Sequence, residues 1–282
     1  MILFIFEGKD DEPRLYKTLK EIFHFALNEA EILHYYCSNI FSLYDTIKGY
    51  GIFDGSVNLI NVLKEEAAKH KEVKSDLDRI KYSYEVSEIF MFFDYDIRKQ
   101  DEKNKLAIEQ QNAKILELFN YFENESLDSE RNGIKLYINY PMIESYRFFK
   151  KELPDEDFKN YTFNLMSEKS FKQIVNEESF YKNLNYLCFD LNKSGELKIS
   201  DDEKRTNKIK QNWLHLKELN IKKAHFICTD NYSIPENKDS INQRNIFDNQ
   251  IEKYVTLNNE VAVLNAFPLF WFEYIDDKKL LT

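Results

Sequence analysis

The residues best placed to do chemistry are acids that end apolar runs. The stretch EIFMFFDYDIR, residues 88–98, closes a run of large apolar side chains on Asp94 and Asp96, and MILFIFEG does the same with Glu7. In an extended segment the side chains at i and i+2 face the same way, so Asp94 and Asp96 can converge on one cation. An acid on a neighbouring strand tip completes an oxygen-rich site suited to Mg2+ or Mn2+, with water or a substrate phosphate in the remaining positions. The cation relieves repulsion among the carboxylates; without one, at least one carboxyl group is expected to titrate high. Lys9, Arg98 and Lys99 flank the acids and could meet a phosphodiester. Each feature also has a plainer explanation. Acids after a strand can simply end it in solvent, EGKDDEP suits a helix start with favourable dipole interactions, and flanking cations balance nearby acids. The combination, with each acid behind a buried-type strand, is what points to a site.

The elements that must position these residues alternate. Ile2 to Phe6 is almost wholly apolar, as expected of a strand covered on both faces. An acidic turn follows, Pro13 suits a first helical turn, and Leu15, Leu19, Ile22, Phe23 and Ala26 recur at helical spacing. Glu31 to Cys37 reads as a second strand, Ser56 to Ala68 as a helix behind the glycine-punctuated GYGIFDG, and Ile89 to Phe93 as a third strand. A long helix is expected from Glu102 to Phe122, then a strand in IKLYINYP that stops at Pro141. Strands separated by helices favour a parallel α/β sheet with right-handed crossovers, and such sheets bind ligands outside the carboxyl ends of their strands. Glu7, Asp94 and Asp96 all fall at those ends. The expected division is a core over residues 1–150, a helical insertion or subdomain over 151–220 with a polar break at KSGELKISDDEKR, and a C-terminal part over 221–282. In that last part KKAHFICT reads as a strand and VAVLNAFPLFWFEYI as core or interface.

Composition narrows the function classes. With 282 residues, 43% of them hydrophobic and including 18 Tyr and 23 Phe, the chain has ample material for a core. Cys37, Cys188 and Cys228 are far apart and form no metal-type pair, which suits free thiols in a reducing cytoplasm. Neither a basic and apolar leader nor a run of roughly 18 apolar residues is present, so a cytoplasmic location away from membranes is expected. A net charge of −10 argues against generic polyanion binding, although a local basic surface or bound cations can still hold nucleic acid. The basic stretch from Lys204 to Lys223 around Trp213 could track a nucleic-acid backbone or be a soluble helix whose Trp faces the core. The five histidines show no metal spacing, and no phosphate-binding P-loop or dinucleotide fingerprint occurs, so any ATPase activity would come from a partner.

FIFEGKDDE, followed after intervening α/β elements by FFDYDIR, resembles the TOPRIM fold of topoisomerases, primases and OLD-type nucleases. That family carries a Glu at the end of its first strand, often followed by Gly, and a DxD at a later strand end. The likeness covers about the first 150 residues and rests on Glu7, Gly8, Asp94 and Asp96. It implies a mainly parallel TOPRIM-like sheet, Asp94 and Asp96 as metal ligands, and Glu7 as a further ligand or the general acid/base. The long separation of Glu7 from Asp94 requires an insertion around GYGIFDG. A narrower likeness is to small TOPRIM proteins of bacterial anti-phage systems, including the effector partner of an ATPase in PARIS-type defence. INYPMIESYRFF is similar to the NP-x-x-E segment of related defence nucleases, which would add Glu144 as a catalytic residue, though Tyr140 separates Asn139 from Pro141. Glu144 equally suits an ordinary helix-start acid.

The resemblance thus implies a metal-dependent nuclease acting on DNA or RNA, with tRNA as a target by analogy, an ATPase protein as partner, and a homodimer left open. Two other readings remain at this point. A DxD-dependent glycosyltransferase accounts for Asp94 and Asp96 but leaves the Glu-Gly after the first strand unexplained. A non-catalytic interaction module accounts for the acidic balance and the aromatic C-terminal stretch.

Overall fold

A computed structural model describes residues 1–24, 27, 29–51, 58–69, 76–95, 97, 108–125, 133–147, 155–177, 186–199 and 202–274. The chain forms two compact units, one of Met1–Glu12 with Leu27–Tyr137 and the other of Pro13–Ala26 with Ile138–Thr282. The expected class, an α/β chain with a parallel sheet flanked by helices, is the one adopted.

In the first unit, β1 (Ile2–Phe6) leads into helix α1 (Asp11–Phe23), which starts here and continues into the second unit. Then come β2 (Glu31–Tyr35), α2 (Ile40–Gly49), α3 (Leu59–Lys69), β3 (Glu88–Asp94), α4 (Ile108–Glu125) and β4 (Gly133–Asn139). The four strands form one parallel sheet in the order β2-β1-β3-β4. Strands β1 and β3 are central and fully covered, which is why ILFIF and IFMFF carry no polar alternation. Edge strand β2 alternates buried and half-buried residues. Aromatic side chains hold the register. Phe4 lies opposite Phe90 and Phe6 opposite Phe92, with ring centroids 5.2 and 5.6 Å apart, and Phe92 stacks on Tyr137 at 5.0 Å. Such cross-strand pairs contribute roughly 0.2–1 kcal/mol each, and a slip of one residue would break the whole set.

Two sequence expectations are refined here. Helix α2, capped by the Asn39 side chain accepting from Ser42 N at 3.0 Å, was not foreseen in the stretch before GYGIFDG. The expected strand through Cys37 stops at Tyr35, because Cys37 turns into the left-handed region at φ 56°. The expected insertion at GYGIFDG lies largely outside the described residues, as do positions 101–107 of the long helix.

On β2, His34 is buried, and burial lowers its pKa from 6.5 to about 4. The unfolded chain therefore binds a proton between those values that the native chain does not, so stability falls as pH drops from about 6.5 towards 4. At pH 5 the native state should have lost about 2 kcal/mol relative to pH 7.5 from this group alone. Urea unfolding at both pH values, for wild type and for His34→Gln, measures it. An equal pH dependence in the two proteins would show that His34 is not held neutral.

The second unit is built around α7 (Glu203–Thr229). Before it come α5 (Asp155–Asn160), β5 (Thr162–Asn164), α6 (Phe171–Glu177) and the short ladder of β6 (Asp190–Leu191) with β7 (Leu197–Lys198). That ladder and its turn at Gly195, φ 79°, occupy the polar break expected at KSGE. After α7 come α8 (Gln243–Gln250), a π-helical turn over Ile251–Val255, α9 (Thr256–Asn258), β8 (Glu260–Ala262) and α10 (Ala266–Tyr274). Strand β8 pairs antiparallel with β5, and α10 packs on α7. KKAHFICT, expected as a strand, is a correction. It forms the last turns of α7, which runs unbroken through the expected boundary at 220. The β-like composition yields because Ala224 and Ile227 fall on the buried stripe of a helix already set by Trp213, Leu216 and Leu219.

Trp213 faces the core and donates its Nε1–H to the Leu187 carbonyl. Lys217 lies 4.5 Å over the Trp271 ring, and Lys223 donates to the Phe158 and Tyr161 carbonyls at 2.8 and 2.6 Å. Burial drives the Lys223 pKa well below that of an ordinary lysine. Buried amides tie the C-terminal segment down. Gln250 clasps both backbone groups of Ala262, Asn139 Oδ1 accepts from Ala266 N, and Asn265 bonds Asn220, Ile143 and Ser145. Satisfied in this way, the polar groups carry little desolvation penalty and fix one arrangement.

Candidate functional site

The site begins with the register. Because Phe6 sits opposite Phe92, the next residue on β1, Glu7, falls beside the end of β3, and its backbone N–H donates to the Phe92 carbonyl at 3.1 Å. The Glu7 side chain then turns across the strand gap, and Oε2 accepts from the Asp94 backbone N–H at 2.9 Å. Asp94 is itself only 7% exposed, at the last position of β3. Two carboxylates thus close adjacent central strands at the carboxyl edge of the sheet. In the order β2-β1-β3-β4 the connections that follow β1 and β3 run in opposite directions, so β1 and β3 flank the topological switch point, where open parallel sheets bind ligands.

Another acid, on α1, reaches the loop that follows Glu7. Glu12 is 4% exposed, and its Oε1 accepts from the Gly8 N–H at 3.3 Å. The approach is close at Gly8, where a Cβ would meet Glu12 Oε2 at 2.9 Å and push that side chain aside. In the sequence Glu12 reads only as one member of an acidic helix start. The available signal is its position four residues after the glycine, one helical turn away. Asp11 and Glu12 also lie in the first turn of α1, where the helix dipole favours negative charge.

Tyr95 anchors the end of β3. Its ring is buried and its hydroxyl donates to Asn112 Oδ1 on α4 at 2.6 Å, while burial raises its pKa. Pinned in this way, Tyr95 fixes the backbone that follows Asp94. Asp96, Arg98 and Lys99 lie outside the described residues, and with them the expected same-face pairing of Asp94 with Asp96. Lys9 is exposed in the loop after Glu7.

Glu144 belongs to the second unit, on a 3-10 turn over Ile143–Arg147. It is 2% exposed and paired with Lys172 at 2.7 Å. Its near neighbour Arg147 is also buried and bonds the Tyr146 hydroxyl at 3.2 Å.

Among the described residues, no group of three or more His, Cys, Asp or Glu side chains is gathered as ligands for a metal ion. The donor chemistry at the strand tips nonetheless fits Mg2+ or Mn2+, which take hard carboxylate oxygens. Mg2+ is commonly held by one or two carboxylates, with waters and substrate phosphate supplying the rest. No helix of the described residues is long and apolar enough to cross a membrane. The three cysteines are free, with Cys37 exposed, Cys188 buried and Cys228 half-buried. Comparison with protein-family models, with curated proteins and with solved structures finds no match for this chain.

Proposed function

We propose that the chain is a divalent-cation-dependent phosphodiesterase of TOPRIM type that cleaves nucleic acid. The observation that carries this reading is the contact of Glu7 with the Asp94 amide at the β1/β3 switch point. Asp94, with Asp96, would hold the cation. Bound there, Mg2+ or Mn2+ supplies Lewis-acid polarisation of the phosphodiester and lowers the pKa of bound water. Glu7 is oriented by the Asp94 N–H, which keeps its carboxylate at the tip of the sheet, where it exchanges a proton with the attacking water or the leaving oxygen. Glu12 bonds the Gly8 amide and so shapes the loop that carries Glu7 and Lys9. Lys9, Arg98 and Lys99 meet the phosphate charge. The burial of Glu144 and its ion pair with Lys172 favour a structural role for that acid.

DNA and RNA, including tRNA, are both within this proposal, as is control by an ATPase partner in anti-phage defence. The test is cleavage of single-stranded DNA and total RNA in Mg2+ or Mn2+, with and without excess chelator. Cleavage that needs the cation supports the reading. Cleavage undiminished by chelator overturns the metal role, and turnover of nucleotide sugars in place of nucleic acid would transfer the site to a glycosyltransferase.

A further inference from the structure

A cavity of about 190 Å3 opens at the carboxyl end of β2, between the strand and helices α2 and α3. Its walls carry His34, Tyr35, Tyr36, Ser42 and Glu66, with Cys37 at the exposed side. Tyr36 links this cavity to the site described above. Its backbone N–H donates to the Phe6 carbonyl at 2.8 Å, and its ring meets the Phe93 ring edge-on at 5.8 Å. Phe6 and Phe93 are the residues immediately before Glu7 and Asp94. The cavity therefore lies one strand over from Glu7 and two from Asp94, on the same edge of the sheet, and adjacent strands are about 4.8 Å apart.

The lining selects a ligand. None of the described lining residues is Lys or Arg, so among them no cation is offered to a phosphate. Glu66 brings a carboxylate, which only accepts hydrogen bonds, and its Oε1 already accepts from the Tyr50 hydroxyl at 3.1 Å. A ligand meeting the carboxylate must bring N–H or O–H donors. Tyr35 and Tyr36 line the cavity, and the Ser42 hydroxyl can donate or accept. A cavity of about 150 Å3 takes benzene, so this one suits a single planar ring system and falls below the roughly 300 Å3 at which drug-sized pockets begin.

We propose that this cavity is a nucleobase pocket, holding an unpaired base with an amino-bearing edge from the same strand whose phosphodiester lies at Glu7 and Asp94. The proposal rests on the phosphodiesterase reading for the strand and on the cavity alone for the base. Guanine, which presents two adjacent N–H donors on the edge that would meet the Glu66 carboxylate beside its Tyr50 bond, is the preferred occupant. Cytosine and adenine follow through their single amino groups. Uracil, whose N–H lies between two carbonyls that repel the carboxylate, binds least. His34, held neutral by burial, adds a hydrogen-bonding ring without charge. A base seated here must be out of any duplex, which makes single strands and loops the substrates.

Cys37 supplies a readout that needs neither metal nor turnover. Alkylation at Cys37, followed by mass spectrometry on the intact chain at pH 7.5, should slow about 10-fold when a nucleoside is present at ten times its Kd. The expected order of protection is guanosine, then cytidine and adenosine, then uridine. Ala67→Phe, which fills the cavity, should abolish protection, and Glu66→Gln should erase the preference for guanosine while leaving the melting temperature close to wild type. A tetranucleotide should protect at lower concentration than the nucleoside if the base arrives on a strand; equal concentrations would assign the pocket to free nucleosides and overturn that part. Equal protection by ribose or inorganic phosphate, or none by any nucleoside, overturns the base pocket. Protection without metal-dependent cleavage would place the fault in the phosphodiesterase reading, and cleavage without protection would place it in the pocket.

Discussion

Glu7→Gln should lower metal-dependent cleavage by about 10²–10⁴-fold, the usual contribution of a positioned acid/base, while leaving cation affinity nearly unchanged. The substitution keeps the size of the side chain and an oxygen that can still accept from the Asp94 N–H, so the tip of the sheet should stay in place. What is lost is the ability to exchange a proton. Asp94→Asn should behave differently, weakening both cation binding and cleavage, the latter by at least about 10²-fold, because a charged ligand becomes neutral. Calorimetric titration with Mn2+ beside single-turnover cleavage separates the two. If Glu7→Gln weakens cation binding as much as Asp94→Asn does, Glu7 is a ligand. If neither variant changes either quantity, the strand-tip acids are outside any active site and the TOPRIM likeness loses its chemical content.

The site residues were legible where a strong local pattern fixed the backbone. Fully apolar runs of five residues, set between helical patterns, suit central strands of a parallel sheet, and once Phe4, Phe6, Phe90 and Phe92 pair across the gap, Glu7 arrives beside Asp94. Glu12 was not legible as a partner, because its contact depends on how tightly the loop at Gly8 folds back, a tertiary distance with only a weak trace in the spacing. Helix α2 was hidden by the glycines that follow it, whereas its start is marked by Asn39, whose capping oxygen accepts from Ser42 N. KKAHFICT read as a strand because its residue types suit either state, and the turns before it decided the outcome. The cavity beside Tyr36 had no sequence signature, since its walls come from β2, α2 and α3 through a packing that no short window contains.

Phe267→Asp should unfold the second unit or leave it only partly folded at 37 °C. Phe267 and Phe270 are buried in α10, the helix that packs on α7, and the same helix carries Trp271, whose ring lies 4.0 Å from Phe23 on α1 and beneath Lys217. Truncating a buried Phe to Ala costs about 3–5 kcal/mol through lost transfer energy and the cavity left behind. An aspartate adds the burial of an unpaired carboxylate, several kcal/mol more unless the group takes up a proton. Together these approach the whole stability of a typical domain, about 5–15 kcal/mol. The amide clasps just before Phe267, Gln250 on Ala262 and Asn139 on Ala266, hold the start of α10 in place and hinder it from swinging the charge into water. Phe270→Asp should act in the same direction, and Phe267→Leu, which keeps an apolar side chain, should lower the melting temperature by much less. Circular dichroism melts and size-exclusion profiles of the three variants measure this. Wild-type melting and elution for both aspartate variants would mean that α10 is not part of the core.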